Sequence, residues 1–144
     1  MKRILVLCTG NICRSPMAEA WLASEWSGLA EVSSAGIGAV VGAKADPIAE
    51  QLMSELGLDI SRHVARQVEP SMVKDADLVL VMEQLHREAI LKTMGWATGK
   101  VWRLGHKEGE NVPDPYRRGK PAFEFALDSI RRLSSSWNGW VGVT

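Results

Sequence analysis

Cysteine is scarce in this chain, which has only two among its 144 residues. A disulfide framework belongs to cysteine-rich secreted chains, so we expect no disulfides, and two thiols suit a reducing cytoplasm. Zinc binding by Cys8 and Cys13 would need His63, His86 or His106, which are far along the chain and not at ligand spacing. The sequence therefore predicts no metal site, and we expect no cofactor.

Net charge and long apolar runs are also lacking. Lys plus Arg equals Asp plus Glu at 17 each, which argues against nucleic acid as a partner. The apolar run from Ile4 to Cys8 is too short for a signal peptide or a membrane span. The apolar share of 46% is that of an ordinary globular protein. We expect one domain over residues 1–144, in the cytoplasm, without membrane insertion.

The segment 4–16, ILVLCTGNICRSP, has the pattern of a strand, a loop and a helix N-terminus. Inward backbone N–H groups and the helix dipole would make this loop a cradle for an oxyanion. Cys8 stands at the strand end, and Arg14 can close the ring with a planar fork that matches phosphate oxygens. The predicted phosphate-binding loop comprises Thr9, Gly10, Asn11, Ile12, Cys13, Arg14 and Ser15.

A cysteine is most often an inert buried residue, and Cys-x5-Arg alone is a weak motif. Here Gly-Asn lies inside the loop and Ser15 follows Arg14 directly. The loop N–H groups, the helix dipole, Arg14 and the Ser15 hydroxyl would all favour the thiolate form of Cys8. We therefore favour a nucleophile inside its own anion site.

Apolar residues at helical spacing predict three buried helix faces. The first helix should end near Gly28, and the second should begin at Asp46-Pro47 after a glycine-rich loop over 36–45. The three faces consist of Ala18, Leu22, Trp26 and Leu29, widened by Met17 and Trp21; of Ile48, Leu52 and Leu56; and of Phe123, Leu127, Ile130, Leu133, Trp137 and Trp140.

A second strand is predicted from Val32, and Ser33 to Gly36 lead the chain out of that strand. Two more strands are predicted over 77–82 and over 100–104, with a helix over 83–94 between them. Alternating strands and helices predict an α/β fold with a parallel sheet and helices on both faces. Ligands of such sheets bind beyond the C-terminal strand ends, where Cys8 lies.

Asp114 stands between two prolines, an arrangement that by itself indicates only a turn. Its importance comes from a resemblance. CTGNICRSPMAEA resembles the active-site loop of the low-molecular-weight protein tyrosine phosphatases, and DPYRRG at 114–119 resembles the loop of their general acid. The order and spacing of both fit that family across nearly the whole chain, closest to bacterial members that act beside exopolysaccharide tyrosine kinases.

The resemblance implies the family's fold, a four-stranded parallel sheet, and its phosphocysteine mechanism. It makes Cys8 the nucleophile, Arg14 the phosphate ligand and Asp114 the acid that protonates the leaving phenolate and then activates water. It also implies that Ser15 supports the leaving thiolate, and that Asn11, Ser34 and His63 hold the loop through buried hydrogen bonds. Phosphate and vanadate should inhibit, and a tyrosine autokinase is the expected partner.

The pocket rim is expected to consist of Tyr116, Ile12, Thr9, Val40, Val41 and Arg117. Vertebrate members of the family carry tryptophan where this chain has Val40-Val41, and a second aromatic residue where it has Arg117. Arg117 and Arg118 suit an acidic phosphotyrosine peptide, although surface arginines are usually only solvated. Cys13 is either an inert core thiol or the partner that traps oxidised Cys8 as a disulfide.

Two other functions remain open from the sequence. An arsenate reductase of the same fold would need additional cysteines for its disulfide relay, and this chain has none beyond Cys13. A non-catalytic phosphotyrosine-binding module would not need a nucleophile, an arginine and an acid together. Phosphotyrosine hydrolysis is therefore the preferred prediction.

Overall fold

The computed structural model describes all residues, 1–144. Its elements are β1 (Lys2–Cys8), α1 (Arg14–Glu25), β2 (Ala30–Gly36), α2 (Pro47–Glu55), α3 (Pro70–Asp75), β3 (Leu78–Val81), α4 (Gln84–Thr93), β4 (Val101–Arg103), α5 (Lys120–Ser134) and α6 (Asn138–Val141). Short 3-10 turns occupy Gly95–Ala97 and Ser135–Trp137. The four strands are all parallel, in the order β2-β1-β3-β4. The predicted α/β fold class is confirmed.

Strand β1 contributes to two hydrophobic cores because successive side chains point to opposite faces of the sheet. Ile4 and Val6 pack with buried residues of α1, α2 and α5. Leu5 and Leu7 pack on the other face with buried residues of α3 and α4. Helices therefore cover both faces, as predicted. No helix is long and apolar enough to cross a membrane.

The order of the strands fixes where a ligand can bind. The chain leaves β1 for β2 on one side and later crosses to β3 on the other. This reversal creates a crevice beyond the C-terminal end of β1, where ligands of open α/β sheets bind. Cys8 is the last residue of β1 and lies at that crevice.

Two helices end earlier than the apolar pattern indicates. Helix α1 ends at Glu25, so Leu29 lies in the following turn and is exposed, although Ala18, Leu22 and Trp26 are buried as predicted. Helix α2 ends at Glu55, which leaves Leu56 exposed. The predictions for Leu29 and Leu56 are wrong because a helical period applies only while the helix continues.

The second strand and the last helix also differ from the prediction. Strand β2 continues through Ser34 to Gly36, because the polar Ser34 finds hydrogen-bonding partners inside the protein. Helix α5 buries its predicted apolar residues as far as Leu133 and ends at Ser134. The 3-10 turn that follows rotates the chain, so Trp137 is half-buried and Trp140 is exposed. The six-residue α3 was not predicted.

Candidate active site

The backbone of the loop after β1 is held from outside by the segment that follows β2. Four loop carbonyl groups accept backbone hydrogen bonds of 2.8 to 3.0 Å from this segment. No backbone N–H group of residues 9–13 donates to another protein group. Asn11 and Cys13 are buried, and buried backbone N–H groups are normally paired, so unpaired donors in this loop are suited to binding an anion. The four bonds run from Ile37 to Cys8, Gly38 to Thr9, Val40 to Gly10 and Asp46 to Ile12.

The thiol of Cys8 is buried and has one polar side-chain neighbour. Its Sγ atom lies 2.9 Å from Oγ of Ser15, in the first turn of α1. The same Oγ accepts a hydrogen bond of 2.7 Å from Nδ2 of Asn11. Because that oxygen already accepts, the Ser15 hydroxyl hydrogen is available to donate to the sulfur atom.

Asn11 connects the loop to the β2 side of the sheet. Its φ angle of 58° lies in the left-handed region, which Asn tolerates better than most residues. Nδ2 donates to Ser34 Oγ at 3.0 Å, and Oδ1 accepts the Arg66 N–H at 3.0 Å. His63 Nε2 donates to the Asn11 carbonyl oxygen at 2.6 Å, and Ser34 donates to Glu19 at 2.5 Å. The structure thus brings Asn11, Ser34 and His63 together. Arg66 and Glu19 were missed because no local pattern marks them.

Arg14 is buried, with only 2% of its side chain exposed. Its Nη1 atom donates to Glu83 Oε2 at 2.9 Å and to the Val112 carbonyl oxygen at 2.8 Å. A buried charge needs such partners, because an unpaired one costs several kcal/mol. Glu83 was missed in the sequence because it lies 69 positions away from Arg14. Nη2 lies 3.9 Å from Oδ2 of Asp114.

A cavity of about 190 Å³ lies over the loop. Asp114, whose side chain is half exposed, and Tyr116 form part of its wall, and the Asp114 Oδ1 atom accepts the Tyr116 N–H at 3.1 Å. The predicted rim residues Val41 and Arg117 do not line it, although the Arg117 guanidinium lies 5.0 Å from the Tyr116 ring centre. The lining consists of Cys8, Thr9, Gly10, Ile12, Cys13, Arg14, Gly38, Val40, Asp114 and Tyr116.

Two further titratable groups lie beside the loop. Burial, with a smaller contribution from Asp46, raises the pKa of the Cys13 thiol to about 12, so this thiol is protonated at neutral pH. Burial, followed by the charge of Arg14, lowers the pKa of His86 to about 4, so this imidazole is neutral. Cys8 and Cys13 are both free thiols. No group of three or more His, Cys, Asp or Glu side chains is placed to hold a metal ion.

Comparison with known proteins identifies the family. The model of the low molecular weight phosphotyrosine protein phosphatases matches residues 3–141, and the chain belongs to this family. It is 47% identical to "Probable low molecular weight protein-tyrosine-phosphatase EpsP" of Ralstonia nicotianae, over 95% of this chain and 94% of that protein. The predicted family and enzyme class are therefore confirmed.

Solved structures give the same fold. The tyrosine phosphatase Wzb from Escherichia coli K30, in complex with sulphate, superposes with a TM-score of 0.90 at 35% identity, over 98% of this chain and 99% of that one. The YwlE arginine phosphatase from Geobacillus stearothermophilus superposes with a TM-score of 0.91 at 29% identity, over 98% of this chain and 93% of that one. Phosphatases with different named substrates thus share this fold.

Proposed function

We propose that this enzyme hydrolyses phosphotyrosine through a phosphocysteine intermediate on Cys8. The observation that carries the proposal is the row of unpaired backbone N–H groups in residues 9–13, a loop that lines one cavity together with Cys8 and the buried Arg14. Such donors favour a thiolate and bind the oxygens of a phosphoryl group, where the negative charge of the transition state lies.

In the first step, the Cys8 thiolate attacks phosphorus and the bond to the tyrosine oxygen breaks. Loop N–H groups and the Arg14 guanidinium bind the non-bridging oxygens. Asp114, at the cavity wall, gives its proton to the leaving phenolate, so that neutral tyrosine departs. Glu83 and the Val112 carbonyl hold Nη1 of Arg14, which fixes the plane of the guanidinium.

In the second step, water attacks the phosphocysteine and the Asp114 carboxylate takes the proton from that water. The bond between sulfur and phosphorus breaks, and inorganic phosphate leaves. The Ser15 hydroxyl, 2.9 Å from Sγ, donates to the departing thiolate. Since phosphate is the product and vanadate adopts the trigonal-bipyramidal shape of the transition state, both should inhibit.

The cavity wall favours an aryl phosphate. Ile12, Val40 and Tyr116 give it apolar surface suited to a phenyl ring. A phosphoarginine guanidinium would bring several N–H donors, and these apolar side chains cannot accept from them, which leaves Asp114 as the only carboxylate in the lining to do so. The arginine phosphatase activity named for a structural neighbour is therefore a less suitable function for this chain.

The proposed substrate is a tyrosine autokinase or another exopolysaccharide-pathway protein in the cytoplasm, as the resemblance to bacterial members implies. Arg117 and Arg118 are exposed beside Tyr116 and suit acidic residues next to the phosphotyrosine. The arsenate reductase alternative lacks cysteines for a relay, because only Cys13 accompanies Cys8.

Hydrolysis of an aryl phosphate by wild type and by Cys8→Ser tests the proposed function. A serine hydroxyl stays protonated at neutral pH, so the variant should be inactive yet folded. Vanadate should inhibit wild type competitively and metal chelators should have no effect. Near-normal turnover by Cys8→Ser would contradict the covalent mechanism, and no turnover by wild type would favour a binding module. Phosphoarginine, offered separately, should be hydrolysed far more slowly.

A further inference from the structure

The N-terminal turn of α4 contacts both ends of the phosphate-binding loop. His86 Nε2 lies 2.9 Å from Oγ1 of Thr9, the residue directly after Cys8. Glu83 Oε2 accepts a hydrogen bond of 2.9 Å from Arg14, near the other end of the loop. These contacts hold the loop from the β3 side, whereas the Asn11 hydrogen bonds hold it from the β2 side.

The hydrogen bonds of His86 define where its proton lies. Nδ1 accepts the backbone N–H of Glu83 at 3.1 Å, so the neutral ring carries its proton on Nε2. Nε2–H then donates to Oγ1 of Thr9, since the nearest Glu83 oxygen is farther away, at 3.5 Å. Thr9 therefore accepts from His86, and its own hydroxyl hydrogen is available to a partner in the cavity that Thr9 lines.

His86 itself is buried and does not line the cavity. Both of its ring nitrogens make hydrogen bonds, which restricts the ring to one orientation. The bond from Nε2 in turn restricts the rotation of the Thr9 side chain. Any influence of His86 on a bound phosphoryl group must therefore act through Thr9 or through the neighbouring Glu83.

We propose that His86 is a positioning residue, which fixes the Thr9 side chain so that its hydroxyl donates to an oxygen of the phosphoryl group on the loop. The inference rests on the proposed function, because it takes that loop as the site of the phosphoryl group. A residue that only caps α4 would need Nδ1 alone, whereas positioning of Thr9 needs the Nε2 donor.

Two substitutions separate these roles. The amide of His86→Asn can take the place of Nδ1 and keep the cap, but it is too short to reach Thr9. The amide nitrogen of His86→Gln can take the place of Nε2 and keep the donor. We expect kcat/KM of His86→Asn to fall roughly threefold to tenfold, the size of one hydrogen bond. The loss should be equal for good and poor leaving groups, because Thr9 binds phosphoryl oxygens and not the leaving oxygen.

The kinetic loss should be smaller in His86→Gln than in His86→Asn. Thr9→Val removes the acceptor of the His86 hydrogen bond. The double variant Thr9→Val/His86→Asn should have nearly the same kcat/KM as Thr9→Val alone, because the two residues act as one unit. His106→Asn is the matched control, since His106 is exposed, contacts the Trp102 ring and does not line the cavity. Calorimetric titration with vanadate gives a second measure, in which His86→Asn should bind vanadate more weakly than wild type.

Wild-type kinetics and vanadate binding in His86→Asn would overturn the proposal, as would additive losses in the double variant. If the His86 variants fail to fold, as thermal unfolding would reveal, Thr9→Val decides, and wild-type kinetics in that variant overturn the proposal. Failure of the proposed function is distinguishable, because it would appear as activity in Cys8→Ser or as inactive wild type.

Discussion

The carboxylate of Asp114 lies beside the guanidinium of Arg14 at the cavity, with Oδ2 3.9 Å from Nη2. The other oxygen, Oδ1, accepts the Tyr116 N–H, so the carboxylate is oriented by its own loop. An acid next to the proposed phosphate ligand is placed to reach the leaving oxygen of a substrate. This placement supports the proposed acid role of Asp114.

The loss of activity in Asp114→Asn should increase with the pKa of the leaving phenol. Tyrosine has a pKa of about 10, so its phenolate needs protonation, whereas a strongly acidic phenol departs almost without it. The loss on phosphotyrosine peptides should be roughly 10²- to 10⁴-fold, and clearly smaller on an activated aryl phosphate. Steady-state kinetics over a series of phenols measures this slope. A uniform loss would make Asp114 a structural or binding residue.

Cys13 should trap oxidised Cys8 slowly at neutral pH. The sulfenic acid of Cys8 and the Cys13 thiol would form a disulfide and release water. Since the pKa of Cys13 is raised to about 12, its reactive thiolate fraction should increase about tenfold per pH unit from 7 to 9.

Mass spectrometry after brief peroxide treatment should therefore show faster disulfide formation at higher pH. Peroxide-treated wild type should recover with a thiol reductant, and Cys13→Ser should recover less. Equal recovery of the two proteins would show that Cys13 only fills space in the core.

Asn11→Ala should destabilise the fold and reduce activity together. The substitution removes three side-chain hydrogen bonds and places alanine at a positive φ. We expect the free energy of unfolding to fall by roughly 2 to 4 kcal/mol. Asn11→Gly is the matched comparison, because glycine tolerates this φ, although it also makes the unfolded chain more flexible. Urea denaturation should give a smaller loss for Asn11→Gly, and a larger loss for Asn11→Gly would contradict a strained alanine at this position.

His86 should make stability depend on pH. Its pKa falls from 6.5 in the unfolded chain to about 4 in the folded one, so between these values the unfolded chain binds more protons. The contribution is complete above pH 6.5 and is lost as pH falls to 4, by about 3 kcal/mol in all. The difference between the urea unfolding curves of wild type and His86→Asn should show this slope. A difference that does not change with pH would contradict the lowered pKa.

Arg117→Glu should reduce kcat/KM for phosphotyrosine peptides with acidic neighbours more than for neutral peptides. The Arg117 guanidinium lies over Tyr116, at the cavity wall, and a reversed charge there would repel an acidic peptide. The effect should shrink as salt is added, because the group is exposed. Arg131→Glu is the charge-matched control, because Arg131 is exposed on α5, contacts the Trp21 ring and does not line the cavity. Equal kinetics on acidic and neutral peptides would remove Arg117 from substrate selection.

The fold class and the position of the loop could be predicted from the sequence. Both depend on short-range patterns: an apolar strand that ends at Cys8, a Gly-Asn turn, and the alternation of strands with helices. Helix ends were less well determined, and Leu29 and Leu56 are exposed because α1 and α2 end before them. The apolar period identifies the buried side of a helix, but capping and packing decide at which residue the helix ends.

The groups that support the loop become visible only in the tertiary structure. Glu83 reaches Arg14 and His86 reaches Thr9 because β3 is the neighbour of β1, which brings the start of α4 next to the crevice. Arg66 reaches Asn11 because its segment passes the end of β2, where the Gly36 N–H donates to the Arg66 carbonyl. These partners are 55 to 77 positions apart. Strand order brings them together, and strand order comes from the packing of the whole chain, which no local pattern records.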